Sequence, residues 1–127
     1  MIVGIGVDLV RIERMRAAVS RRTERFLKRI FTQQEIEDCY REKDPFPHLS
    51  ARFAAKEAVL KAFGLGWGRG IKWTDIEITK DEWGAPRVNF FGLLKEKAKE
   101  KRVKQVMLSL SHEGQYAIAF VLLTGGV

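Results

Sequence analysis

Arg52-Phe53-Ala54-Ala55-Lys56-Glu57-Ala58-Val59-Leu60-Lys61-Ala62-Phe63-Gly64 is the stretch on which the reading of the fold turns. Leu49, Phe53, Lys56, Leu60 and Phe63 recur at spacings of three and four, which predicts a long helix from about His48 to Phe63. Gly64 is its natural C-cap, because glycine takes the left-handed conformation that ends a helix without strain. Just upstream, Asp44-Pro45-Phe46-Pro47 reads as a loop, since each proline disfavours helix in the residue before it. On the helix Glu57 and Lys61 are four apart, in the favourable order for an ordinary surface ion pair worth ~0.2–0.5 kcal/mol.

Towards the N-terminus, Gly4-Ile5-Gly6-Val7-Asp8-Leu9 alternates, with Ile5, Val7 and Leu9 on one side and Gly4, Gly6 and Asp8 on the other. Met1 to Leu9 therefore reads as a strand whose glycines leave room for something to approach the backbone. If the fold brings Asp8 to Glu57, two carboxylates share a pocket in a chain of net charge +7. Such a pocket needs a cation, which points to a hard metal ion and an anionic substrate.

From Arg11 onward Ile12, Met15 and Val19 take helical spacing, and a basic helix, continuous or broken, extends to Ile30. Between Arg11 and Arg29 eight bases face two acids, a local excess of +6, while the rest of the chain carries only +1. Charge so concentrated reads as a docking surface for an acidic partner. Phe31-Thr32-Gln33-Gln34-Glu35-Ile36 is a helix start, with Thr32 as N-cap, Glu35 as its capping-box partner and Phe31 with Ile36 as the staple.

Beyond the long helix, Gly64-Leu65-Gly66-Trp67-Gly68-Arg69-Gly70 is either a flexible surface loop or one whose backbone passes close to a ligand. Thr74 to Thr79 and Arg87 to Phe90 read as strands about a turn at Trp83-Gly84-Ala85-Pro86, and Leu93, Leu94 and Ala98 mark a helix to about Arg102. Gln105 to Ser111 and Tyr116 to Leu123 form a last hairpin about His112-Glu113-Gly114-Gln115. The mixture lacks strict strand-helix-strand alternation, so the class is α+β.

At 127 residues and 46% hydrophobic content, the chain fits one compact domain spanning 1–127. Its apolar runs fall short of a bilayer span and its start is strand-like, so a cytoplasmic protein without a membrane partner is expected. Cys39, the only cysteine, excludes an internal disulfide and a thiolate metal site. Its neighbours, Glu37, Asp38 and Glu42 against Arg41, are acidic on balance and would not activate a thiol against His48, so packing is its expected role.

Gly4-Ile5-Gly6-Val7-Asp8 followed by Ile12 and Arg14 resembles the opening motif of the holo-[acyl-carrier-protein] synthases, the short bacterial type of 4′-phosphopantetheinyl transferase. Phe53-Ala54-Ala55-Lys56-Glu57-Ala58 with Lys61, Ala62 and Gly64 is similar to their second signature. Phe31-Thr32 with Glu35, Trp73 through Glu77, Gly84 with Pro86, and Ser109-Leu110-Ser111-His112 follow in order. The resemblance implies a trimer-forming α+β fold, a small mixed sheet with a long central helix packed on it. It also implies transfer of the phosphopantetheine arm of coenzyme A to a serine of apo acyl carrier protein, releasing adenosine 3′,5′-bisphosphate.

On that resemblance Asp8 and Glu57 hold Mg²⁺, and Asp8, Glu57 and Lys61 carry the chemistry. The serine's proton would go to Glu57 or to a water on the metal. Arg52, Lys61, Gly64, Gly66, Pro86, Ser111 and His112 are the candidates for holding coenzyme A, although Arg52 also reads as a solvated helix residue and His112 as a polar turn residue. Arg14, Arg21, Arg25 and Phe26 are candidates for the carrier-protein surface, with core packing the other reading of Phe26. A rival reading is a small basic nucleic-acid-binding module. It lacks a recognisable motif, and the aromatics do not interleave with the basic run as a stacking platform requires.

Overall fold

The chain runs β1 (Ile2–Arg11), α1 (Ile12–Ile30), α2 (Gln33–Tyr40), α3 (Pro45–Phe63), a 3-10 turn (Trp73–Asp75), β2 (Ile76–Lys80), β3 (Pro86–Phe90), α4 (Gly92–Glu100), β4 (Val103–Glu113) and β5 (Tyr116–Gly125), in a computed structural model that describes residues 1–126. The α+β class holds, with α3 as the long helix packed on a sheet. In place of one small mixed sheet there are two sheets, β1-β5-β4 and β2-β3, and every strand pair in them is antiparallel. Two of those pairs are hairpins, whose short turns impose antiparallel pairing. Among the described residues no helix is long and apolar enough to cross a membrane.

Local sequence sets most element ends. Thr32 caps α2 as expected, its Oγ1 accepting from the Glu35 N–H at 3.3 Å while Glu35 Oε1 accepts from the Thr32 N–H at 2.8 Å. Gly64 ends α3 at φ 72°. The start of α3 differs from the sequence reading, because Asp44–Pro47 is its cap and first turn and not a loop. Asp44 accepts from the Phe46 N–H at 3.1 Å, and Pro45 and Pro47 fall where helical N–H groups have no partner to lose. The basic helix α1 is continuous. The last hairpin turns at Gly114-Gln115, so His112 and Glu113 belong to β4, paired with Ala117 and Tyr116.

The approach of α3 to β1 positions everything that follows. Ala54, Ala55, Ala58 and Ala62 keep the helix surface shallow, and the inner face of β5 offers Ala119, Val121 and Leu123, all fully buried. The open side of β1 noticed in the sequence is filled by the helix backbone itself: a Cβ on Gly4 would strike the Ala62 carbonyl oxygen, and one on Gly6 that of Ala58. Gly6→Ala is expected to destabilise at or beyond the upper end of the roughly 1–3 kcal/mol that overpacking costs. Gly66→Ala, with open space around its Cβ position, should leave the thermal midpoint measured by circular dichroism unchanged.

Two further features stand out. Lys56 and Glu35 are both fully buried and 2.7 Å apart. Lys56 Nζ also donates to the carbonyls of Ile30 at 2.7 Å and Trp73 at 3.1 Å, and Glu35 Oε2 accepts from the Ile78 N–H at 2.8 Å. All three ammonium protons are thereby used. On the outer face of the three-stranded sheet, Ile5, Val7, Leu9, Met107, Ile118 and Phe120 stand between 40% and 59% exposed. That is a contiguous apolar face without cover inside the chain.

Candidate active site

The parity of β1 that turns Gly4 and Gly6 against α3 also turns Asp8 inward, one step beyond the glycines. Asp8 lines a cavity of about 460 Å³ together with Glu57 and Lys61 from α3, Phe53 one turn earlier on that helix, and Arg14, Met15 and Phe26 from α1. The two carboxylates singled out in the sequence therefore share one pocket.

Their partners are not the ones helical spacing suggests. Lys61 Nζ lies 3.0 Å from Asp8 Oδ1 and also donates to the Val7 carbonyl at 3.0 Å, so its ion partner among the described residues is Asp8 and not Glu57. The glycine-lined approach brings the strand within reach of the lysine stem, and a carboxylate plus a carbonyl there outcompete the i,i+4 neighbour, whose carboxylate is engaged by Trp67. Glu57 instead accepts from the indole Nε1 of Trp67 at 3.2 Å. Burial raises the Glu57 carboxyl above its ordinary range; the Trp67 hydrogen bond opposes the shift, the Asp8 charge adds to it and Lys61 offsets part.

The described residues contain no group of three or more His, Cys, Asp or Glu side chains able to hold a metal. Asp8 and Glu57 thus offer two hard oxygen donors and no more. That donor set suits Mg²⁺, which keeps several waters and completes its shell with phosphates, better than Zn²⁺ or Ca²⁺, which take three or more protein ligands.

The remaining candidates fall elsewhere. Arg21 and Arg25 line a neighbouring cavity of about 860 Å³ with Arg22, Arg29 and Trp73, and Phe26 forms part of the wall of both cavities. Phe26 is half-buried at the edge of the core around Met15, Leu27 and Leu49, so it takes part in core packing while one side of its ring faces the cavities. Arg52 is 3% exposed and donates to the Ile78 and His48 carbonyls at 3.4 and 3.5 Å, which removes the solvated reading. It lines a small cavity with Asp38, Arg41, Glu42, His48 and Lys80, and His112 stands edge-on to His48 with ring centroids 5.4 Å apart.

Ser111 is exposed on β4, and Pro86 opens β3 beside a groove between β3 and β4. Gly64 and Gly66 are exposed on the loop after α3. Of the residues assigned to coenzyme A, only Lys61 lines the cavity of Asp8 and Glu57. Cys39 is wholly buried, and burial pushes its thiol up to about 11, so packing is its role.

The sequence reading missed the aromatic stack behind Glu57. Trp67 lies on Trp73 with centroids 3.7 Å apart, and Trp73 lies on Phe53 at 4.8 Å. The available signal was a large aromatic ring set among four glycines, in a loop whose sequence reads as either flexible or passing close to a ligand.

With that geometry in view, the chain belongs to the 4′-phosphopantetheinyl transferase superfamily, whose sequence profile matches residues 4–121. It is 42% identical over 122 residues to the holo-[acyl-carrier-protein] synthase of Caldanaerobacter subterraneus, covering 96% of this chain and 94% of that protein. Its fold is similar to the crystal structure of the holo-[acyl-carrier-protein] synthase from Neisseria meningitidis, with a TM-score of 0.89 and 33% identity over 98% of this chain and 99% of that one. The Helicobacter pylori holo-[acyl-carrier-protein] synthase in complex with coenzyme A matches with a TM-score of 0.84 and 33% identity, over 94% of this chain and 99% of that one. The resemblance carried by the two motifs is borne out.

Proposed function

We propose that residues 1–127 act as one 4′-phosphopantetheinyl transferase domain that moves the phosphopantetheine arm of coenzyme A onto a serine of apo acyl carrier protein and releases adenosine 3′,5′-bisphosphate. The observation that carries this reading is the single cavity in which Asp8, Glu57 and Lys61 meet Arg14 and Phe26 of the basic helix. A cation-binding acidic pair suits the pyrophosphate of coenzyme A, and α1 suits an acidic protein.

Asp8 and Glu57 would hold the Mg²⁺. Bound there, the ion supplies positive charge to the pyrophosphate oxygens and eases the growth of charge on the leaving phosphate. Lys61, already 3.0 Å from Asp8, adds a point charge at the same place. The serine oxygen bonds to the phosphorus that bears the pantetheine, the bond from that phosphorus to the bridging oxygen breaks, and the bridging oxygen leaves with the nucleotide. The serine's proton would go to Glu57 or to a water beside it. Arg52 and His112 would hold the nucleotide end, with Pro86, Ser111 and the backbone of Gly64 and Gly66 as further contacts.

Two surfaces support the assembly. The bare apolar face of β1, β5 and β4 suits burial against further copies in a homotrimer, an arrangement that would bring the scattered coenzyme A residues of one chain beside the acidic pair of another. Sedimentation equilibrium should give the mass of three chains. Arg14, Arg21, Arg25 and Phe26 would meet the carrier protein in the cytoplasm. Arg21→Glu with Arg25→Glu should raise the KM for carrier protein by at least about tenfold at low salt and much less at high salt, with little change in the KM for coenzyme A. The reaction itself is tested by incubating the protein with coenzyme A, Mg²⁺ and apo acyl carrier protein. Mass spectrometry should find one phosphopantetheine added to the carrier; an unmodified carrier would refute the reading.

A further inference from the structure

We infer that Trp67, through its indole N–H, is the positioning residue that holds the Glu57 carboxylate in place for its cation. The inference rests on the reading of Asp8 and Glu57 as the metal pair.

Four observations carry it. Glu57 is half-buried on α3 and makes no ion pair among the described residues; the hydrogen bond given to its side chain comes from Trp67 Nε1, at 3.2 Å to Oε1. Occupation of Oε1 leaves Oε2 without a protein partner there, so one oxygen of the carboxylate is restrained while the other is available. The donor is itself immobilised, because Trp67 stacks on Trp73 at 3.7 Å and Trp73 on Phe53 at 4.8 Å, and Phe53 shares the cavity of Asp8 and Glu57. The Trp73 carbonyl, finally, accepts from the buried Lys56 ammonium at 3.1 Å, which ties the stack to the interior ion pair.

The chemistry requires such a support. A lone glutamate on a helix face has three side-chain torsions to restrict, and a cation held by only two carboxylates depends on both being in place beforehand. An indole N–H is a fitting donor because it has no acceptor lone pair and carries no charge, so it orients the carboxylate without competing for the cation. Partners of this kind, one shell out from the metal, typically change affinity or activity about 10–100-fold when removed. The glycines on either side of Trp67 have open space where a side chain would be, and the indole itself packs against the core.

The test compares wild type with Trp67→Phe, Glu57→Gln and Trp83→Phe. Trp67→Phe keeps a ring against Trp73 but has no donor, and Trp83→Phe is a surface control at a residue 87% exposed. Mn²⁺ binding is followed by the electron paramagnetic resonance of the free ion, with coenzyme A present and carrier protein absent, against coenzyme A alone. The expected result is at least about tenfold weaker binding for Trp67→Phe, a comparable or larger loss for Glu57→Gln and none for Trp83→Phe. In turnover, kcat for Trp67→Phe should fall with the KM for carrier protein unchanged. If Trp67→Phe melts at a lower temperature, Trp67→His, which restores a ring N–H, should recover part of the Mn²⁺ affinity. Loss in Glu57→Gln with wild-type Mn²⁺ affinity in Trp67→Phe would overturn the inference and leave the metal pair standing. Wild-type affinity in Glu57→Gln would overturn both.

Discussion

Asp8→Asn should lower kcat for phosphopantetheine transfer by at least about 10²-fold at saturating Mg²⁺, with the KM for carrier protein little changed. The magnitude is that of removing one preorganised group that meets charge developing in the transition state. The substitution keeps the side chain's size and removes its charge, so the pair that would hold the cation is reduced to Glu57. Lys61 simultaneously loses its ion partner and keeps only the Val7 carbonyl. Folding should survive, because the Asp8 contact is with a lysine 54% exposed, where solvent screens the attraction, and Asp8 is not part of the buried core. A normal thermal midpoint with activity near wild type would remove Asp8 from the chemistry.

Lys56→Met should destabilise the protein by about 3–5 kcal/mol, the cost of leaving the partner of a buried ion pair uncompensated. Lys56 is tied to Glu35 at 2.7 Å, to the end of α1 through the Ile30 carbonyl and to the 3-10 turn through the Trp73 carbonyl. Removing it leaves the Ile30 and Trp73 carbonyls short of a donor and Glu35 short of its cation. Burial lowers the Lys56 ammonium below its ordinary range and Glu35 opposes that, so the charge of the lysine depends on the acid beside it. Equilibrium urea unfolding should show a lower midpoint at unchanged slope. A loss below about 1 kcal/mol would mean that the pair is dispensable.

These two lysines show where the sequence could be read and where it could not. Both lie on α3, and helical spacing located the helix, its glycine cap and the face shared by Glu57 and Lys61. The same spacing counted Lys56 among the apolar residues, which was the right burial for a residue of the wrong chemistry. Its acid, Glu35, was read only as a capping-box residue. It is that, but its oxygens also reach Lys56 and the Ile78 N–H, contacts 21 and 43 residues away in sequence. For Lys61, the nearest acid along the helix lost to Asp8, 53 residues away.

Pro45 and Pro47 depart from the local rule for a different reason. The constraint on the residue before proline yields in a first helical turn, where proline's fixed φ suits the helix and its missing N–H has no partner to lose.

The sequence by itself determined what depends on neighbours a few residues apart. It set the alternation of β1, the period and cap of α3, the capping box of α2, the concentration of positive charge on α1 and, through two ordered motifs, the family. The tertiary structure decided what depends on contacts between distant segments. Alternation defined two faces of β1 without saying that the glycine face meets a helix backbone and the apolar face stays bare. It likewise could not tell that Asp8 and Glu57 share a cavity, that Lys61 turns to Asp8, or that Trp67 leans from its glycine loop onto Glu57. Periodicity and capping are satisfied by local backbone geometry, whereas these pairings are selected by which groups remain unpaired once helix and strand have closed on each other.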